Sequence, residues 1–309
     1  MARNILEFGP PYRDDILRIK EQRKYRPEAY FMFQHIDLKG SRIIITGASS
    51  GIGWELAQRL AEKGARLLLA SRNSERLQTL ETTIRKGGGE AYTSPTDVTQ
   101  SEDRSRLIEA AHSRLGGLDM LINNAGVGAM GFFADAARER LGRIFDVNFF
   151  GVTELTRLAL PLLVQGKNPM VVNVGSVLGR RGIPGCTEYC ASKFALSGWS
   201  EGLRAELAQS GVHVLLANPG STRTSFRDNL IENQLSFGWQ GGGMTADRCA
   251  RIIVRAMEQR RNEVIMTAQG KMLIWLNRLL PRVVDGITRR VARQASRVPS
   301  RPDTPVRHD

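Results

Sequence analysis

From Arg42 onward, short apolar runs alternate with longer segments in which apolar residues recur at helical spacing. That alternation predicts a parallel sheet covered by helices on both faces, because each strand is followed by a crossover long enough to return the chain to the same edge. Strands are predicted at Arg42–Thr46, Arg66–Ser71, Ala91–Thr96, Met120–Asn123, Met170–Val174, Val212–Ala217 and Glu263–Met266. Helices are predicted near Gly51–Lys63, Ser74–Lys86, Ser101–Leu115, Arg138–Gln165, Tyr189–Gln209 and Ala246–Gln259. Gly64, Gly87 and Gly211 stand just beyond three of these helices, where C-cap glycines belong. The fold class is α/β: a doubly wound parallel sheet of about seven strands in three αβα layers, one domain over residues 38–269. Residues 1–37 and 270–309 read as extensions.

The turn after the first strand sharpens this picture. Thr46-Gly47-Ala48-Ser49-Ser50-Gly51-Ile52-Gly53 opens directly into a helix. Glycines there let the backbone turn tightly and approach a pyrophosphate, while the unpaired amides and dipole of the helix N-terminus attract its charge. Strand, glycines and helix in this order make the sheet Rossmann-type, with Gly47, Ser49, Ser50, Gly51, Ile52 and Gly53 as the phosphate cradle. At the end of the second strand, NAD-specific folds place a carboxylate for the ribose 2′-hydroxyl; here the chain reads Ala70-Ser71-Arg72-Asn73. A carboxylate repels a 2′-phosphate and a guanidinium binds one, so Arg72 favours NADP(H), with NAD(H) the less favoured cofactor.

Composition narrows the function classes. A chain of 309 residues, 41% hydrophobic, can bury a substantial core. Cys186, Cys190 and Cys249 form no CxxC pair and are odd in number, which points to a reducing compartment, expected to be cytoplasmic. His35, His112, His213 and His308 lack the short spacings of a metal site, and no metal is expected. The N-terminal segment lacks the apolar core of a signal peptide, and no apolar run is long enough to span a membrane. The net charge is +13, and nearly half of that excess lies beyond residue 270. No aromatic stacking platform accompanies the charge, which argues against nucleic acid as its partner.

Several separate motifs, in order, make residues 38–267 resemble the classical short-chain dehydrogenase/reductase family. They are Thr-Gly-x-x-x-Gly-x-Gly at Thr46 to Gly53, the Asp97-Val98 pair, Asn-Asn-Ala-Gly at Asn123 to Gly126, Tyr-x-x-x-Lys at Tyr189 to Lys193, and Pro219-Gly220. The resemblance implies a catalytic set of Asn148, Ser176, Tyr189 and Lys193. It also implies cofactor contacts from Asp97, Val98, Asn124, Ala125, Gly126, Tyr189, Lys193, Pro219, Gly220, Thr222 and Thr224, and a homodimer or homotetramer. By the same resemblance Lys193 holds the nicotinamide ribose, Ser176 the substrate oxygen, and Asn148 a water that relays protons. The residues add a reason of their own: Tyr189 and Lys193 are four apart and share a helix face, so the ammonium is expected to lower a phenol pKa that ordinarily lies near ~10. The expected activity is interconversion of a carbonyl and an alcohol, with Tyr189 as general acid and base. A cofactor-sensing protein that docks on a membrane and an NAD-dependent alcohol oxidant are the competing readings.

Phe226, Leu230, Ile231, Leu235, Phe237 and Trp239 precede Gly241-Gly242-Gly243, so Ser221 to Met244 reads as an apolar lid with a glycine hinge, over a hydrophobic small-molecule substrate. Arg180 and Arg181 read as a surface pair, and Cys186 and Cys190 as packed thiols without a histidine to activate them. Beyond Lys271, apolar residues from Met272 to Val291 interleave with Arg278, Arg282, Arg289, Arg290 and Arg293, and Pro281 is expected to bend or divide the helix. Such a face suits peripheral contact with a membrane, or packing on the protein itself or a subunit partner. Pro299, Pro302 and Pro305 mark an end expected to be disordered.

Overall fold

A computed structural model describes residues 35–226, 230–233 and 243–295. Residues 1–34, the lid residues Leu235, Phe237, Trp239, Gly241 and Gly242, and the proline-rich end lie outside the described residues. Seven parallel strands form the central sheet: β1 (Arg42–Thr46), β2 (Arg66–Ser71), β3 (Glu90–Pro95), β4 (Met120–Asn123), β6 (Met170–Val174), β7 (His213–Asn218) and β11 (Glu263–Ile265). Their spatial order is β3-β2-β1-β4-β6-β7-β11. The direction of winding reverses between β1 and β4, so the crevice beyond their C-terminal ends is where an open α/β sheet binds a ligand. Four short strands lie outside this sheet: β5 (Gly128–Met130) pairs with β9 (Leu230–Asn233), and β8 (Thr222–Arg223) with β10 (Met244–Thr245).

Alternate residues of each strand face opposite layers. Ile43, Ile45, Leu67 and Leu69 pack against α1 (Gly51–Glu62), α2 (Ser74–Lys86) and α7 (Ala246–Glu258). Ile44, Leu68, Leu121 and Val171 pack against α3 (Ser101–Ala110), α5 (Gly151–Leu163) and α6 (Thr187–Leu207). Both faces of the strands are therefore apolar, as a sheet covered on two sides requires. At the far edge from the ligand crevice, Asp119 accepts the Arg42 backbone amide at 2.8 Å and its guanidinium at 2.8 and 3.0 Å, which locks the starts of β1 and β4.

The structure differs from the sequence reading at several boundaries. The single helix expected over 138–165 is α4 (Arg140–Phe145), a wide π turn at Asp146–Phe150, and α5. Propensity patterns carry no signal for such a turn, because the apolar spacing continues through it. The helix expected at 101–115 likewise ends in a π turn over Ala111–Leu115. Gly64 and Gly211 take the left-handed conformation expected of them, but after α2 it falls on Gly88 (φ 82°), while Gly87 has φ −79°. Pro281 divides the tail into α8 (Ala268–Leu279) and α9 (Pro281–Ala295). Arg180 and Arg181 are not a free surface pair. Arg180 binds Glu201 and Glu263 at 2.6 and 2.9 Å, and Arg181 reaches Asn277 and Asp285 at 2.7 Å, tying α8 and α9 to the domain. Among the described residues no helix is long and apolar enough to cross a membrane, and no cluster of metal-ligating side chains occurs.

Candidate active site

The glycine turn is shaped by close packing. Gly47 and Gly51 have φ of 64° and 56°, values that disfavour side chains. A Cβ on Gly53 would lie 2.3 Å from the Gly47 carbonyl oxygen and 2.5 Å from Asn124 Nδ2, so only glycine lets α1 start this close to β1. Asn124 braces the same turn by donating to the carbonyls of Thr46 and Gly47 at 2.9 and 3.1 Å. The Thr46 hydroxyl accepts the amides of Asn124 and Ala125 at 3.0 and 3.1 Å. The N-terminus of α2 is capped by the Asn73 side chain, whereas α1 has no side-chain cap and no acidic residue in its first turn. Its first amides thus face the crevice without a protein acceptor from the cap, which suits an anionic group.

This turn forms one end of a cleft of about 1110 Å³. Gly47, Ser49, Ser50, Gly51 and Ile52 line it, as do Arg72, Asp97, Val98, Asn124, Ala125, Gly126, Pro219, Gly220, Thr222 and Thr224. Gly53 stands behind the cradle as a packing residue. Arg72 is exposed and makes no ion pair with a described residue. Arg76, in the first turn of α2, lines the same corner and was not singled out by the sequence, because Arg72 precedes the helix and no periodicity links the two. Asp97 accepts the Thr99 amide and hydroxyl at 2.9 and 2.8 Å, which turns the chain after β3.

At the other end, β6 and α6 bring three side chains together. Ser176 follows β6, its amide donating to Asn218 Oδ1 at 3.0 Å and its hydroxyl accepting the Leu178 amide at 3.1 Å. Tyr189 and Lys193 project from the first turns of α6, and all three line the cleft. The Lys193 ammonium donates to the Val174 carbonyl at 2.9 Å and sits 5.9 Å from the Tyr189 ring centre. Burial pulls Lys193 from 10.5 down to about 8. Burial also pushes Tyr189 up to about 12, against a lowering hydrogen bond from Ser176. The expected lowering of the Tyr189 pKa by Lys193 is therefore not found in the protein alone: desolvation of the phenolate outweighs an ammonium that is itself desolvated and turned toward a carbonyl.

Asn148 lies on the π turn, fully buried behind the cleft. Its side chain accepts the Val127 amide at 2.9 Å and donates to the Val127 carbonyl at 2.9 Å and to Ser192 at 3.0 Å. It clamps the strand beside Gly126 to α6, one helical turn from Tyr189. Burial raises the Cys186 thiol to about 11 and raises Cys190, consistent with packed thiols rather than nucleophiles.

Phe226 packs edge-on against Tyr189 with ring centres 5.8 Å apart, and Leu230 and Ile231 line the cleft beyond it. Glu232 on β9 and Glu188 beside Tyr189 share the buried guanidinium of Arg140, at 3.0 Å for Glu232 and at 3.0 and 2.9 Å for Glu188. This triad ties the segment over the cleft to α6. Sequence inspection missed it, because its members are 48 and 92 positions apart.

Strand order, winding and the glycine turn define a dinucleotide-binding fold of the Rossmann class. The chain belongs to the short-chain dehydrogenase family, whose model matches residues 41–235. It is 31% identical over 258 residues to ketoacyl reductase HetN of a Nostoc species, covering 82% of this chain and 89% of that one. A short-chain dehydrogenase/reductase from Burkholderia phymatum in complex with NAD superposes with a TM-score of 0.74 at 26% identity, covering 79% of this chain and 94% of that one. A short-chain dehydrogenase from Burkholderia cenocepacia in complex with NADP gives 0.66 at 28% identity, with coverage of 74% and 95%. The chain is an oxidoreductase of this family, which binds NAD(P).

Proposed function

We infer that the enzyme interconverts a carbonyl and an alcohol on a hydrophobic small molecule with NADP(H), using Tyr189 as proton donor and acceptor. The observation that carries the reading is the convergence of Ser176, Tyr189 and Lys193 in the cleft that begins at the glycine turn. When bound, the nicotinamide supplies or accepts the hydride. With its pKa near 12, Tyr189 is a protonated phenol at neutral pH and can give its proton to a carbonyl oxygen as negative charge develops there. Ser176 donates a hydrogen bond to that oxygen, and the mostly protonated Lys193 steadies the phenolate that remains. Asn148 acts as a positioning residue through Ser192 and Val127, and so through the turn that carries Tyr189.

The cradle at 47–52 holds the pyrophosphate, and the exposed Arg72, with Arg76 beside it, favours a 2′-phosphate at the end of β2. Met130, Leu178, Ile183, Phe226, Leu230 and Leu273 give the rest of the cleft an apolar wall, which supports an apolar substrate body flanked by Phe226 and β9. The Nostoc relative, a ketoacyl reductase, agrees with a carbonyl on an acyl-like body.

NADPH oxidation against a panel of aliphatic, aromatic and polycyclic ketones tests the chemistry. Tyr189→Phe is expected to cut kcat by about 10²–10⁴-fold while leaving NADPH affinity unchanged. Turnover untouched by that substitution removes the mechanism. Arg72→Ala is expected to weaken NADPH binding by about tenfold or more and NADH binding little. Equal affinities for the two cofactors in the wild type remove the cofactor preference.

A further inference from the structure

The helix that completes the cleft wall has a second face. Gln269, Gly270 and Leu273 of α8 line the cleft. Met272, Trp275 and Leu279 of the same helix point to solvent, as do Leu280, Val283 and Ile287 at and beyond the start of α9. These six side chains are between 50% and 69% exposed, and they make up six of the ten most exposed large apolar side chains among the described residues. Met272, Trp275 and Leu279, at i, i+3, i+7, form one stripe on α8, and Val283 and Ile287, at i, i+4, continue it on α9 past the junction residue Leu280. The opposite side is fastened down: Val284 is buried, Gly270 packs on Val177, and Arg181 grips Asn277 and Asp285. The stripes are thus presented outward by a docked pair of helices.

Lys271, Arg278, Arg282, Arg289 and Arg290 are exposed around the stripes, and none forms an ion pair with a described residue. Asp285 is the one carboxylate of the two helices, and Arg181 engages it. Apolar side chains with an interfacial tryptophan, rimmed by unpaired cations, match the boundary of an anionic bilayer, where the stripe enters the acyl region and the cations meet headgroups. A second copy of the chain fits poorly, since packing the face on itself would bring ten like charges together.

We propose that the α8–α9 face docks the enzyme on an anionic membrane surface, with the cleft wall at Leu273 held next to the lipid boundary. The docking is independent of the catalytic reading, because it needs neither Tyr189 nor bound cofactor. Sedimentation of the full-length protein with vesicles of phosphatidylcholine containing 30% phosphatidylserine, against phosphatidylcholine alone, reads it directly. The wild type is expected to partition to the anionic vesicles and to be released by salt. Arg278→Glu/Arg282→Glu/Arg289→Glu is expected to weaken partition by on the order of 100-fold, at roughly fivefold per cation lost near the surface. Trp275→Ser/Leu279→Ser/Ile287→Ser, which touches only exposed positions, is expected to weaken binding to anionic vesicles at all salt concentrations. Partition that ignores lipid charge, or that both triple variants retain, overturns the proposal. So does a serine variant that turns an oligomer into a monomer by light scattering without changing vesicle binding, since that outcome gives the face to a second copy.

Discussion

Lys193 is a costly residue for stability, and replacing it with methionine separates what it does for the fold from what it does for the site. Its fall from 10.5 to about 8 means that folding carries the ammonium at a cost of about 3 kcal/mol, taking about 1.4 kcal/mol per tenfold in the proton equilibrium. Methionine fills a similar volume without charge. It gives up the hydrogen bond to the Val174 carbonyl, about 1 kcal/mol, so Lys193→Met is expected to gain about 2 kcal/mol at pH 7, or roughly 4–8 °C in Tm. The pH dependence carries a sharper signature. Below pH 8 both folded and unfolded chains hold the Lys193 proton and the cost is present in full. Between about 8 and 10.5 the unfolded chain keeps that proton while the folded one releases it, so wild-type stability rises with pH across this window. Above pH 10 Tyr189 acts the other way, because the folded protein retains the phenol proton up to about 12 while the unfolded chain loses it, and stability falls. Denaturant unfolding of the cofactor-free protein at closely spaced pH values should show the rising limb in the wild type and its loss in Lys193→Met, which keeps the fall above pH 10. A variant that is less stable at pH 7, or that keeps the rise, refutes the assignment of the low Lys193 pKa to burial. Turnover in the variant should be lost, since no cation remains to steady the Tyr189 phenolate.

Two further perturbations test how the cleft is built. Arg140→Met leaves the buried Glu188 and the partly buried Glu232 without their shared cation and is expected to cost about 3 kcal/mol by denaturant unfolding. The milder Glu232→Gln should raise KM for substrate more than for cofactor, because it loosens only β9 over the substrate end; equal effects on both count against the tie. Gly53→Ala is expected to weaken cofactor binding at least about tenfold in fluorescence titration, because its Cβ would collide with the Gly47 carbonyl and shift the cradle. Gly198→Ala in α6, where a Cβ meets nothing within 4 Å, should instead be neutral or stabilising by about 0.5–1 kcal/mol.

The sequence alone determined the order and type of the main elements. Strands buried on both faces are apolar along their whole length, and helices repeat every three to four residues, so β1, β2, β4 and β6 were located to the residue. The glycine turn after β1 was also legible, since the left-handed backbone at Gly47 and Gly51 and the close approach at Gly53 each call for glycine, and the three fall within seven residues. Tyr189 and Lys193 were legible as a pair because a helix makes i and i+4 neighbours. Tertiary structure alone decided how those groups are poised. The pKa of Tyr189 depends on what surrounds the phenol, and residues as distant in sequence as Ser176 and Phe226 supply that surrounding. The π turn at Asn148, the Arg140 triad and the placement of Leu273 in the cleft wall all arise from contacts between separate elements. Local periodicity records which face of an element is apolar, but burial, desolvation and charge pairing are properties of the assembled interior, and they fix which residues share a site and in which protonation state they wait.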